Sequence, residues 1–144
     1  MTSIPYLLAY AHTLAGRAAD AALRPHELTL RQYGLLAQLD LEPELTMAEL
    51  ARQLGVSRQA LYELVGELES RGHLRRAPGA TGRTRRLVLT PRATRLLVAV
   101  RAPLRRAEAD FLRGLRPEEA AALRHLLQKL LAHATDDEAW LTPS

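Results

Sequence analysis

Apolar side chains recur at helical spacing through most of this chain, and residues that start or stop helices mark the breaks between runs. In residues 4–23 they stand at Ile4, Leu7, Leu8, Ala11, Leu14, Ala15, Ala18 and Ala22, the stripe of one helix face, and Pro25 ends that run. Thr29-Leu30-Arg31-Gln32 reads as a capping box opening a second helix to about Leu41, with Leu35, Leu36 and Leu39 inward, before Pro43 breaks it. Thr46-Met47-Ala48-Glu49 is a second capping box, starting a short third helix with Leu50, Ala51 and Leu54 on one face. Gly55 stops it, as a glycine just past a helix takes the left-handed conformation. Ser57 caps a fourth helix, with Leu61, Leu64, Val65 and Leu68 inward and Gly72 at its end.

The period then changes. Leu74–Ala77 and Arg85–Thr90 are short extended runs, and in the second Leu87 and Leu89 alternate with Arg86 and Val88, a half-buried strand pattern. The breaker-rich stretch 78–84 between them predicts a hairpin tip. Pro91 begins a long helix to about Leu115, which Pro103 is expected to kink or split. A last helix starts at Pro117-Glu118-Glu119, with proline at a tolerated first position and acids at the positive dipole end. Its apolar face is Leu123, Leu126, Leu127, Leu130 and Leu131. The first and last helices carry more apolar face than one lobe needs, which predicts a two-fold homodimer. Trp140, in the acidic tail, is a candidate to pack across that interface.

Composition supports a helical, soluble domain: 47% of the 144 residues are apolar, 25% charged and only 4% aromatic, so Leu and Ala, strong helix formers, build the core. The absence of cysteine excludes disulfides, thiolate metal sites and thiol redox sensing. With no leader-like segment and no apolar run approaching the ~18 residues of a membrane span, the expected location is the cytoplasm.

The net charge of +4 is unevenly spread. Residues 46–100 hold ten Arg against four Glu, and residues 70–107 hold eleven Arg and no acid. Such a basic stretch is the footprint of a polyanion partner. It overlaps the informative unit of residues 46–90: helix, Leu54-Gly55-Val56-Ser57 turn, helix, hairpin. This is the order of a winged helix-turn-helix, whose second helix offers its N-terminal side chains to base edges in the major groove. Helical spacing turns Ser57, Arg58, Gln59, Tyr62 and Glu63 outward, and Arg58 and Gln59 have the chemistry to read guanine and adenine. Arg83, Arg85 and Arg86 are wing candidates for phosphates or the minor groove. Arg75 and Arg76, on the first wing strand, are phosphate candidates.

These stretches resemble the MarR family of bacterial regulators over nearly the full chain. The resemblance rests on Leu28 to Leu36, Thr46 to Val56, Leu68-Glu69-Ser70-Arg71-Gly72-His73-Leu74-Arg75-Arg76, Leu89-Thr90-Pro91 and Leu112 to Glu119, in that order and spacing. It implies a mainly α, α+β winged-helix fold forming a single domain over 1–144. A winged helix-turn-helix DNA-binding lobe at 29–91 is flanked by N- and C-terminal dimerisation helices at 1–25 and 92–138. It also implies a homodimer that binds double-stranded DNA at a pseudo-palindromic operator as a repressor. Two departures stand out. The family's wing tip carries Asp-x-Arg, whereas this chain has Thr81-Gly82-Arg83, losing the residue that orients the arginine. Glu63 stands where the family often has a basic residue; it can accept from cytosine N4 but repels phosphate.

Similar proteins often bind small anionic aromatic effectors in a cleft between the dimer helices and the winged lobe, and Tyr10, His12, Arg17, Arg31 and Tyr33 are the candidates to line one here. Chemistry of other kinds is missing. The five histidines form no metal-ligand spacing, and there is no nucleophile elbow, phosphate loop or carboxylate dyad. No enzyme, cofactor or metal is expected. The competing reading, a winged-helix module docking an acidic protein through its basic face, requires an apolar exposed recognition helix, which Ser57-Arg58-Gln59 does not provide.

Overall fold

Five α-helices begin at a Ser or Thr whose hydroxyl takes up a free backbone N–H. The computed structural model describes residues 1–79, 85–136 and 138–141, in two packing units, Met1–Glu108 and Ala109–Ser144. In the first unit, α1 spans Ile4–Leu23, and the Ser3 hydroxyl accepts from the Tyr6 N–H. A 3-10 turn at Arg24–His26 carries Pro25 and leads to Glu27 at a left-handed φ of 57°. α2 spans Leu30–Leu41 and α3 spans Met47–Leu54. Both predicted capping boxes form, Thr29 with Gln32 and Thr46 with Glu49. Gly55, at φ 65°, closes α3, and the next N–H, of Val56, returns to the Ala51 carbonyl. Only a residue without Cβ makes that reversal freely. The Ser57 hydroxyl accepts from the Ala60 N–H and starts α4, Arg58–Ser70.

Gly72, at φ 77°, turns the chain out of α4 into an antiparallel hairpin of β1, Leu74–Pro78, and β2, Arg85–Leu89. The register pairs Leu74 with Leu89, Arg76 with Leu87 and Pro78 with Arg85. Thr90 closes the hairpin's base: its hydroxyl donates to the Gly72 carbonyl at 2.6 Å and accepts from the Ala93 N–H at 3.2 Å. α5 follows, Pro91–Phe111.

The core of this unit lies where α2, α3, α4, the hairpin and α5 meet. Leu35, Leu36, Leu50, Leu61, Val65, Leu68 and Val100 are fully buried there, each such side chain stabilising the fold by about 1.5–3 kcal/mol over its exposed state. α1 contributes only Leu23 to the buried set, and Ile4, Leu7, Leu8 and Leu14 stay exposed. Of the two outcomes expected at Pro103, the split does not occur: α5 runs through it. Proline removes one N–H and crowds the preceding turn, yet Val100 and Leu104 pack into the core on either side and hold the helix together. Its end at Phe111 comes four residues earlier than the sequence suggested.

In the second unit, α6 spans Pro117–Thr135, with Glu118 and Glu119 in its first turn. The Glu119 carboxylate accepts from the Arg116 side chain and backbone, which holds it below the usual carboxylate range. Asp136, left-handed at φ 53°, ends the helix, and a 3-10 turn at Glu138–Leu141 packs against α6 with Trp140 half-buried. Leu123, Leu126, Leu127, Leu130 and Leu131 are all exposed, and no described residue of α6 is buried.

His73, between α4 and β1, is 3% exposed, and its Nδ1 has no hydrogen-bond partner among the described residues. Burial pushes the imidazole below its ordinary value of 6.5, and the Arg71 and Arg92 guanidiniums push the same way. The unfolded chain therefore takes up the His73 proton first, so the stability from keeping this ring neutral is complete above pH 6.5 and is lost as pH falls through the folded value. The melting midpoint is expected to drop on acidification below pH 6.5, and His73→Gln to flatten that drop; unchanged pH profiles in thermal melts contradict the assignment.

Candidate nucleic-acid interface and effector cavity

α4 is sorted by burial along its length. Leu61, Val65 and Leu68 are buried and Leu64 half-buried, while Ser57, Arg58, Gln59, Tyr62 and Glu63 are exposed. The Ser57 hydroxyl is occupied as the helix cap. The Gln59 side-chain amide donates to Glu63 Oε1 at 3.4 Å, one turn on. Arg58 extends from the first turn, and among the described residues no acid pairs with it.

The wing arginines fall into two groups. Arg75 is exposed on β1, again without an acidic partner among the described residues. Arg76 and Arg86 are engaged: Arg76 pairs with Glu69 at the end of α4 at 3.1 Å, and Arg86 with Glu44, in the loop between α2 and α3, at 2.6 Å. Arg85 takes its place in β2 opposite Pro78. Arg83 lies outside the described residues, with the rest of the 80–84 tip.

Behind α4, a cavity of about 620 Å³ opens between α1, the start of α2 and the helix-turn-helix turn. α1 supplies His12, Thr13, Gly16, Arg17 and Asp20; α2 supplies Leu30, Arg31 and Gly34; Leu54, Val56 and Leu64 form the apolar wall. The cavity is mostly apolar, with two guanidiniums at its polar side, a lining suited to a flat anionic molecule. Asp20 is already committed, accepting from the Leu30 N–H at 3.0 Å.

Three of the five effector candidates, His12, Arg17 and Arg31, line this cavity, and Tyr10 and Tyr33 do not. Tyr10 stacks on Tyr6, ring centroids 6.5 Å apart, on an exposed part of α1. Tyr33 packs against the core, where burial raises its phenol above the usual range while Arg101 opposes. The residues missed, Thr13, Gly16 and Asp20, share a signal with those found. Positions 12, 13, 16, 17 and 20 form a non-apolar stripe at helical spacing on an otherwise apolar helix; Tyr10 is in phase with Thr13 and Arg17 but lies further toward the N-terminus than the cavity extends.

A MarR family model matches residues 26–84. The HTH-type transcriptional repressor Rv2887 of Mycobacterium tuberculosis is 33% identical over 126 residues, 87% of this chain and 91% of the relative. Structures of that protein, a MarR family protein, in complex with salicylic acid and with DNA align with TM-scores of 0.74 and 0.71 at 31% identity. They cover 90% of this chain and 97% and 98% of theirs.

The chain belongs to the MarR family.

A MarR family regulator from Rhodococcus sp. RHA1, 25% identical, aligns with a TM-score of 0.83 over 89% of this chain and 91% of that one. The winged helix-turn-helix expected from the sequence is therefore the observed fold, and the MarR relatives are transcriptional regulators rather than enzymes. Among the described residues, no helix is long and apolar enough to cross a membrane, and no cluster of three or more His, Asp or Glu is placed to hold a metal.

Proposed function

We propose that this MarR regulator binds an operator duplex through α4 and the wing, represses from it, and releases it when a small aromatic acid enters the cavity behind α4. The observation that carries this is the bare N-terminal turn of α4. Arg58 and Gln59 stand free of the core at the helix end where side chains reach base edges. Tyr62 and Glu63 lie one turn further along the same exposed surface. Arg75 and, once drawn off Glu69 and Glu44, Arg76 and Arg86 serve as phosphate contacts, with Arg83 and Arg85 extending the set toward the tip. The polar exposed face of α4 speaks against an apolar protein-docking role.

The M. tuberculosis relative's complexes with DNA, salicylic acid and p-aminosalicylic acid support the same two roles here. Arg17 and Arg31 are the anchors for the carboxylate, and Leu54, Val56 and Leu64 the apolar wall for the ring. We further assign residues 1–25 and 92–138 to dimerisation around the lobe at 29–91. The exposed apolar residues of α1 and α6 support this, since isolated monomers rarely leave such surface bare. A cytoplasmic location follows from that role.

The decisive experiment compares Arg58→Ala and Arg75→Ala on operator and scrambled duplexes over a salt series. Arg58→Ala is expected to cost about 1–3 kcal/mol on the operator and to relax preference at one base pair. Arg75→Ala is expected to weaken both duplexes alike and lower the salt slope by about one. If both variants lose affinity equally on the two duplexes, α4 is not reading bases. In a second test, Arg17→Ala and Arg31→Ala should bind operator normally but no longer release it with salicylate; wild-type complexes indifferent to salicylate and its analogues remove the cavity from the account. Sedimentation at micromolar concentration should give twice the 16.0 kDa chain mass, and a monomer there excludes the proposed assembly.

A further inference from the structure

The N-terminus of α2 does more than cap itself. Gln32 is 8% exposed, and both ends of its amide are engaged. Oε1 accepts from the Thr29 N–H at 3.1 Å, closing the capping box, and from Arg71 Nη1 at 3.4 Å; Nε2 donates to Glu67 Oε2 at 2.9 Å. The cap uses only the oxygen, and a glutamate at this position caps as well. The Nε2 bond reaches α4, 35 residues away, and as a donor to a carboxylate it is of the stronger kind. Arg71 reaches on to Glu27, at a loose 3.9 Å.

Two further observations give this contact a role. Gln59, Glu63, Glu67 and Arg71 follow one another at four-residue spacing, a single ridge along α4. Gln59 holds Glu63 at the end offered to DNA, and Glu67 and Arg71 are held by Gln32 at the other. The same α2 terminus also divides two cavities. Thr29 and Asp20 line both the effector cavity and a second cavity of about 430 Å³ that contains Gln32 and Arg71. Leu30 and Arg31, between Thr29 and Gln32, face the first.

We propose that Gln32 is a positioning residue: it sets the register of α4 against the start of α2, and so the aim of Arg58 and Gln59. Through the shared turn of α2 it couples that register to the effector cavity. The coupling rests on the reading of that cavity given above. A ligand carboxylate drawn to Arg31 pulls on the turn that carries Gln32, and α4 moves with it.

The test uses the full-length protein, a duplex that the wild type selects from a randomised pool, and a scrambled duplex, with helicity and melting midpoint measured for each variant. Gln32→Glu keeps the capping oxygen and the Arg71 contact but sets a carboxylate against Glu67. It is expected to lower the selected-to-scrambled affinity ratio about tenfold and to abolish the response to salicylate. Glu67→Ala, at an exposed position that leaves the cap intact, should give the same loss in a folded chain. Combining Gln32→Glu with Glu67→Gln exchanges donor and acceptor and should recover both properties to within about threefold. A fall in melting midpoint with the ratio unchanged reduces Gln32 to a cap and overturns the proposal, as does a reciprocal pair no better than Gln32→Glu. A wild type that ignores salicylate removes the coupling with the cavity reading, while the ratio still decides the positioning role. A wild type that selects no sequence overturns the DNA reading and this proposal with it.

Discussion

α4 must be buried along one side and bare along the other, and nearly everything else in the first unit serves that requirement. Leu61, Val65 and Leu68 are fully buried, so the helix cannot roll without exposing apolar surface, and its opposite face has no choice but solvent or a partner. Gly55 and the Ser57 cap determine where the helix begins, and Gly72 where it ends. The reach of Arg58 and Gln59 is thus a consequence of three buried side chains and two turns, not of any contact those residues make themselves.

The basic surface is also partly quenched from within. Glu69 and Glu44 hold Arg76 and Arg86, and Glu63 holds Gln59. Exposed pairs of this kind contribute little to stability, roughly 0–1 kcal/mol, so a phosphate competes for these arginines at small cost.

Most of the fold was legible in the sequence because its punctuation is local. Thr29 with Gln32, Thr46 with Glu49, Gly55 and Ser57 act within four residues of themselves, and the element limits they imply match the structure to within a residue or two. What the sequence hid was long-range. The capping box announces Gln32, but nothing local announces Glu67 as its second partner. The alternation in β2 turns Arg86 outward without revealing that Glu44 waits there. Tyr10 shares the phase of Thr13 and Arg17 but stands beyond the cavity's end, stacked on Tyr6, and Tyr33 turns to the core. Pro103 carries its local penalty, and the packing of Val100 and Leu104 on both sides keeps the helix unbroken there.

Thr90 ties the turn before β1 to the start of α5: its hydroxyl donates to the carbonyl of Gly72 and accepts from the first turn of α5, while its backbone N–H binds the His73 carbonyl. The base of the hairpin and the start of α5 are therefore tied at a single residue. A change in the tilt of α5 reaches the paired strands through these bonds, so the wing's base is set by the same helix that closes the core.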